Sequence, residues 1–225
     1  VHEVGPDVEA YLSPERIALA ESVRHLLDAV LTAEDATDVA LARAAAAADR
    51  ITAELAGASR ARGTRTRDES GHMDYLPRSP FVGQASPLAP PFAYEFRDGR
   101  ILAHGVFHAA YEGPPGYAHG GWIALAFDEI LGMANIGSGH PAMTGTLKVR
   151  YRRPTPLHAP VSIEAWTDHV DGRRVITRGT MTAGDQVTAE AEGLFVKIGA
   201  ELALEYFGRV RESTTTTTEG PDPLP

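Results

Sequence analysis

Between Gly121 and Ala134 the only charged residues are Asp128 and Glu129. The rest of that stretch holds Trp122, Ile123, Leu125, Phe127, Ile130, Leu131 and Met133. Large apolar groups at every angle predict a helix buried on all sides. A carboxylate there is costly unless it is paired or put to chemical use. Neighbouring helical positions point about 100° apart, so the two carboxylates occupy different surroundings. Just ahead of the helix stands Gly113-Pro114-Pro115-Gly116-Tyr117-Ala118-His119-Gly120-Gly121. Glycines that open a helix leave backbone N–H groups unobstructed, and these suit an anion or a developing oxyanion. Taken alone, His-Gly-Gly is equally a plain turn.

The spacing sets a constraint. Gly120 and Asp128 are eight residues apart, roughly 12 Å along a helix axis. They cannot meet on one small carbonyl group within a single chain. If both act on the same carbonyl, the helix must lie beside an antiparallel copy of itself, with Gly120 from one subunit and Asp128 from the other. No internal duplication is visible, so the expectation is a homodimer or a tetramer built on one.

The elements around this helix come from the rhythm of residues 92–199. Phe92–Phe96 and Ile101–Tyr111 read as strands joined near Asp98-Gly99, a strong hairpin signal. Gly116–Ile136 reads as the helix. Met143–Arg153, Val161–Val170, Arg173–Thr182 and Gln186–Ile198 follow as strands, with tight turns at Asp171-Gly172 and Ala183-Gly184-Asp185. Two strands, a helix and four strands predict an α+β domain, an antiparallel sheet with one central helix.

Ahead of it, residues 1–57 read as a helical N-terminal extension. Ser13-Pro14 caps a first helix with an apolar stripe of Leu19, Val23, Leu26, Leu27 and Val30. A second runs from about Thr32 or Thr37 to Leu55 and closes at Gly57. Neither carries enough bulk to fold alone. Residues 58–91 hold Arg60, Arg62, Arg65 and Arg67 and then five prolines from Pro77 to Pro91, and read as a linker or a surface-draped arm. In the C-terminal segment 200–225, a tail from Glu212 with Thr214–Thr218, Pro221 and Pro223 has nothing to bury and reads as disordered.

Composition narrows the function. The net charge is −9, which argues against a nucleic-acid partner. No stretch approaches the roughly 18 apolar residues of a membrane helix, so no membrane insertion is expected. The chain has no Cys, which excludes disulfides and thiolate chemistry. The opening Val1-His2-Glu3-Val4-Gly5 lacks the features of a secretory leader, and the expected location is cytoplasmic. The nine histidines show no His-Glu-x-x-His pattern, so no metal is expected.

His119-Gly120-Gly121-Trp122-Ile123-Ala124 followed by Asp128 resembles the hotdog-fold acyl-CoA thioesterases, the PaaI-like type and its mitochondrial relatives. The likeness continues through Met143–Leu157, Gly172-Arg173-Arg174 and Ala189–Val196. It covers roughly residues 80–199. The resemblance implies a long helix wrapped by an antiparallel sheet that dimerises edge to edge. It implies that the Gly120 N–H, helped by Gly121, polarises a thioester carbonyl of an acyl-CoA substrate. Asp128 of the partner would activate water, or attack directly, while His119 holds the loop or hydrogen-bonds near the thioester. Relatives of the mitochondrial kind place an assisting Thr sixteen residues after the Asp, here Thr144. Leu147, Val149 and Tyr151 should face the helix, and Thr144 has the opposite parity. It reaches the site only if the strand is bulged or just beginning there.

Lys148, Arg150 and Arg152 alternate onto one face, and with Arg153 they form a basic strip. Arg152 and Arg153 are the candidates for coenzyme A phosphates; a solvated outer face is the plain alternative. The expected reaction is acyl-CoA hydrolysis with no cofactor beyond the coenzyme A of the substrate. Hydratases of this fold pair the helix Asp with a His five residues later, where this chain has Met133. The remaining alternative is a non-hydrolytic acyl-CoA-binding or regulatory module.

Overall fold

The computed structural model describes residues 13–58 and 78–199. The arginine-bearing half of the expected linker and the expected C-terminal tail lie outside the described residues. The elements are α1 (Pro14–Thr32), α2 (Asp38–Ala56), β1 (Ala93–Arg97), β2 (Arg100–Val106), α3 (Gly120–Gly137), β3 (Ala142–Tyr151), β4 (Pro160–Asp171), β5 (Arg174–Ala183) and β6 (Gln186–Lys197). A one-turn 3-10 helix, Ala109–Tyr111, stands between β2 and α3.

The strands form one antiparallel sheet in the order β1-β2-β4-β5-β6-β3. Its hairpins are the ones the turn residues dictate. Asp98 and Gly99 both take positive φ, 51° and 75°, the pairing a two-residue turn needs to match strand twist. Period-2 burial on the central strands puts Val161, Ile163 and Ala165 of β4 and Val175, Thr177 and Met181 of β5 on the inner face. That face closes on α3, whose Ile123, Ala126, Phe127, Ile130, Leu131, Met133 and Ala134 are buried. This is an α+β hotdog with N-terminal helices. Near the far end of α3, the buried Asn135 Oδ1 accepts from the hydroxyls of Thr167 and Thr177, a polar knot inside an otherwise apolar core.

Three departures from expectation have physical causes. The helix begins at Gly120, not Gly116, because residues 113–118 are spent on a turn: Gly113 N–H bonds Tyr117 O at 2.9 Å, and Glu112 pairs with Ala118. A Cβ at Gly113 would sit 2.7 Å from His119 Cα, so only glycine allows this approach. Residues 78–91 turn inward instead of draping over the surface. Phe81 is fully buried, and its ring packs 5.1 Å from Phe92 and 6.4 Å from Phe107. Finally, α1 docks through only part of the expected stripe, Val23 and Leu27. Ile17, Ala20, Val23, Arg24, Leu27 and Asp28 are covered, while Leu19, Leu26 and Val30 are exposed.

Both N-terminal helices start where hydroxyl caps predict. Ser13 Oγ accepts from Arg16 N–H and Thr37 Oγ1 from Ala40 N–H, each at 3.3 Å. α2 buries no residue among those described. No helix among the described residues is long and apolar enough to cross a membrane.

Candidate active site

The start of α3 is held from three directions. His119 is the N-cap, and its Nδ1 accepts the Gly121 N–H at 2.9 Å. Nδ1 as acceptor places the proton of the neutral ring on Nε2. The His119 N–H bonds Tyr111 O at 2.8 Å, and the Ala118 N–H bonds Thr155 O at 2.8 Å. Tyr151, 52% exposed, donates from its hydroxyl to Gly120 O at 2.7 Å. Gly121 N–H is therefore a capping donor. The Gly120 N–H makes no hydrogen bond among the described residues, and it lies at the positive end of the helix dipole.

Asp128 sits two turns along, half-buried. Thr144 Oγ1 donates to Asp128 Oδ1 at 2.8 Å. The contact depends on a bulge. Thr144 pairs with Phe195 and Thr146 with Leu194, so Gly145 is left over. The extra residue reverses the alternation, and Thr144 joins Leu147 and Val149 on the helix side. Asp128 Oδ2 has no partner among the described residues.

Glu129, a hundred degrees around, meets different surroundings. Burial raises its carboxyl above the usual range, a hydrogen bond with Ser79 lowers it, and the neighbouring Asp128 raises it further. Ser79 is itself buried and accepts the Phe81 and Val82 N–H groups at 3.2 Å each. The segment before β1 thus packs onto α3 beside Asp128. Ser79, Tyr111 and Tyr151 were not legible as site residues. Tyr151 alone carried a signal, its inward parity on the strand that also bears Thr144.

The basic strip lies on the outer face. Lys148 and Arg150 stand opposite Glu192 and Glu190 in the β3–β6 register. Arg152, just past β3, is engaged by Glu190, with Nη2 at 2.6 Å and Nε at 2.8 Å. The Arg153 side chain has no ion-pair partner among the described residues, and the Arg153 backbone N–H bonds Thr188 O at 3.0 Å. Among the described residues no cluster of three His, Asp or Glu side chains is poised to hold a metal.

The chain is similar to known proteins over the part that carries these residues. A family model described as the thioesterase superfamily matches residues 115–190, from the turn before α3 into β6. The acyl-coenzyme A thioesterase THEM4 of Mus musculus is 35% identical over 132 residues, 52% of this chain and 57% of that protein. THEM4 of Xenopus laevis is 36% identical over 89 residues, 39% of this chain and 40% of that protein. The chain thus spans about half the length of the curated relatives it matches. A crystal structure described as a thioesterase superfamily protein is 33% identical, with a TM-score of 0.73, and the match covers 81% of this chain and 90% of that one. With that likeness running over α3 and its sheet alike, the chain belongs to the thioesterase superfamily.

Proposed function

We propose that the chain hydrolyses acyl-CoA thioesters at a site shared between two copies of itself. The observation that carries this reading is the pairing of a free Gly120 N–H at the helix start with a Thr144-held Asp128 farther along the same helix. The two lie roughly 12 Å apart along the axis, so each needs the complementary group from a second, antiparallel α3.

Two features favour that second copy. β3 is an edge strand with an unpaired side, suited to continue the sheet into a partner. Gly121, Leu125, Asp128, Gly132 and Ile136 form an incompletely buried stripe of α3, flanked by the half-buried Glu129 and open enough for another helix to approach.

In the reaction, the Gly120 N–H and the helix dipole hold the thioester carbonyl oxygen. The partner's Asp128 takes a proton from water through Oδ2 as the water oxygen bonds the carbonyl carbon. Thr144 fixes the other carboxylate oxygen, so the base is aimed before substrate arrives. The tetrahedral oxyanion collapses, the carbon–sulfur bond breaks, and the coenzyme A thiolate takes up the proton. Products are the free acid and coenzyme A, with no cofactor consumed. Arg153 is the side chain offered to the coenzyme A phosphates, since Arg152 is already engaged by Glu190.

The test is free-thiol release from a panel of short, long and aromatic acyl-CoAs by wild type and Asp128→Asn. The expected result is release by wild type and a loss of at least ~10²-fold in the variant. Saturable binding with no release from any member would replace this reading with the acyl-CoA-binding module. Equal activity in both would keep hydrolysis and remove Asp128 from it.

A further inference from the structure

α1 buries one residue, Ala20, yet it meets the body through two charged side chains. Arg24 Nη1 donates to Ser86 O at 3.0 Å. Asp28 Oδ1 accepts the Ala110 N–H at 3.1 Å, and Oδ2 lies 4.0 Å from His108 Nδ1. Ala110 is the middle residue of the one-turn 3-10 helix. Within that turn, Tyr111 N–H bonds His108 O at 3.0 Å and Glu112 N–H bonds Ala109 O at 3.1 Å. The Ala110 N–H is left over by the turn itself, and a carboxylate on it makes a charge-assisted bond.

The turn is the support on which the start of α3 rests. Tyr111 O accepts the His119 N–H, one peptide before the Gly120 N–H. The Tyr111 ring stands edge-on to Trp122 with centroids 4.9 Å apart, locking the turn against the first helical turn. Burial pushes the Tyr111 phenol up to about 12, so this ring stays neutral in place. The path from α1 to Gly120 is Asp28, Ala110, Tyr111, His119, with every link a hydrogen bond or a covalent step.

We propose that Asp28 is a positioning residue: by holding the Ala110–Tyr111 turn, helix α1 sets the direction of the Gly120 N–H at the substrate carbonyl. This rests on the hydrolytic reading above. A helix present only for packing would bury its large side chains. α1 covers Ile17, Val23 and Leu27 only in part, leaves Leu26, Val30 and Leu31 exposed, and turns Asp28 toward the turn amide. What the contact supplies is geometry, and a misdirected donor costs rate more than it costs binding.

The experiment compares Asp28→Ala and Asp28→Asn in the full chain, on thiol release and on Trp122 emission. The only other tryptophan, Trp166, is replaced by Phe in every sample so that emission reports Trp122 alone. Asparagine keeps an acceptor oxygen for the Ala110 N–H, and alanine does not. Asp28→Ala is expected to lower kcat about tenfold with KM within about twofold, and Asp28→Asn to stay within about threefold of wild type. Trp122 emission shifts in the Ala variant and returns in the Asn variant. Wild-type kcat and emission in Asp28→Ala would overturn the proposal, as would equal losses in Ala and Asn. If the unsubstituted-Asp28 protein releases no thiol, the hydrolytic reading fails by itself. Emission then decides: a shift in Ala restored by Asn upholds the Asp28 hold on the turn, and no shift overturns it.

Discussion

Thr144 donates to Asp128 across a β-bulge, 2.8 Å from hydroxyl to carboxylate. The bond joins the second strand edge of the sheet to its central helix at a half-buried carboxylate.

Thr144→Val keeps the shape and removes the donor. A hydrogen bond to a charged group is worth about 1.5–3 kcal/mol, so kcat should fall about tenfold or more. Deleting Gly145 removes the extra residue and leaves Thr144 two positions before Leu147, still on the helix side, so it should cost less than Thr144→Val. Steady-state thiol release checks both, and an unchanged kcat in Thr144→Val would remove the threonine from the site.

Tyr151→Phe removes the 2.7 Å bond to Gly120 O. The ring is half-exposed, so the stability loss should stay below about 1 kcal/mol in urea unfolding. The expected signature is a kcat several-fold lower with KM nearly constant. A change confined to KM would mean that Tyr151 contacts substrate and leaves the turn unaffected.

His119→Ala removes the acceptor that caps α3. Caps of this kind contribute about 0.5–2 kcal/mol, measurable as a lower urea midpoint. His119→Asn or His119→Ser should restore most of it. Equal loss in all three would assign His119 a role other than capping.

Glu129 makes the stability depend on pH. Its folded carboxyl is held above the unfolded value, chiefly by burial, so the folded state retains the proton more firmly. The stability this contributes is full below the ordinary glutamate value of about 4.3 and is lost as pH rises through the folded value. Glu129→Gln escapes that loss while still accepting from Ser79. Its Tm should exceed that of wild type by a margin that grows from pH 4 toward pH 7, read by thermal melts across the range. A margin that does not change with pH would show that Glu129 titrates normally.

How far the sequence reveals these features depends on the kind of force involved. α3 is legible because an all-round apolar surface has no other use, and the hairpins are legible because Asp98-Gly99 and Gly172 fit few other conformations. The helical cap Ser13 is equally plain, while the start of α2 stays open between Thr32 and Thr37 until the structure places the cap at Thr37. Thr144 is obscured because strand parity assumes an unbroken ladder, and the bulge at Gly145 breaks it. The docking face of α1 is obscured for a different reason. Its hydrogen bonds run through Arg24 and Asp28 to backbone groups, and of the expected stripe only Val23 and Leu27 are partly covered, while Leu19, Leu26 and Val30 are the exposed flank. Phe81 and Val82 are core residues inside a proline-rich stretch, where composition points to a surface arm. The division of labour between Gly120 and Gly121 is set by where His119 Nδ1 points, which spacing alone does not specify.

In the proposed mechanism each site takes Gly120 from one copy and Asp128 from the other. Gly120→Pro deletes the N–H at the first helical position, where proline is well tolerated, and His119 is already extended at ψ 135° as a pre-proline residue should be. Co-expressing Gly120→Pro with Asp128→Asn distinguishes a shared site from one built within a single copy. Each variant alone should be nearly silent in thiol release. Random pairing should then restore about a quarter of wild-type activity, since half of the dimers carry one intact composite site. A mixture as silent as its parents, with mixed dimers demonstrated by tag pull-down, would contradict the shared site.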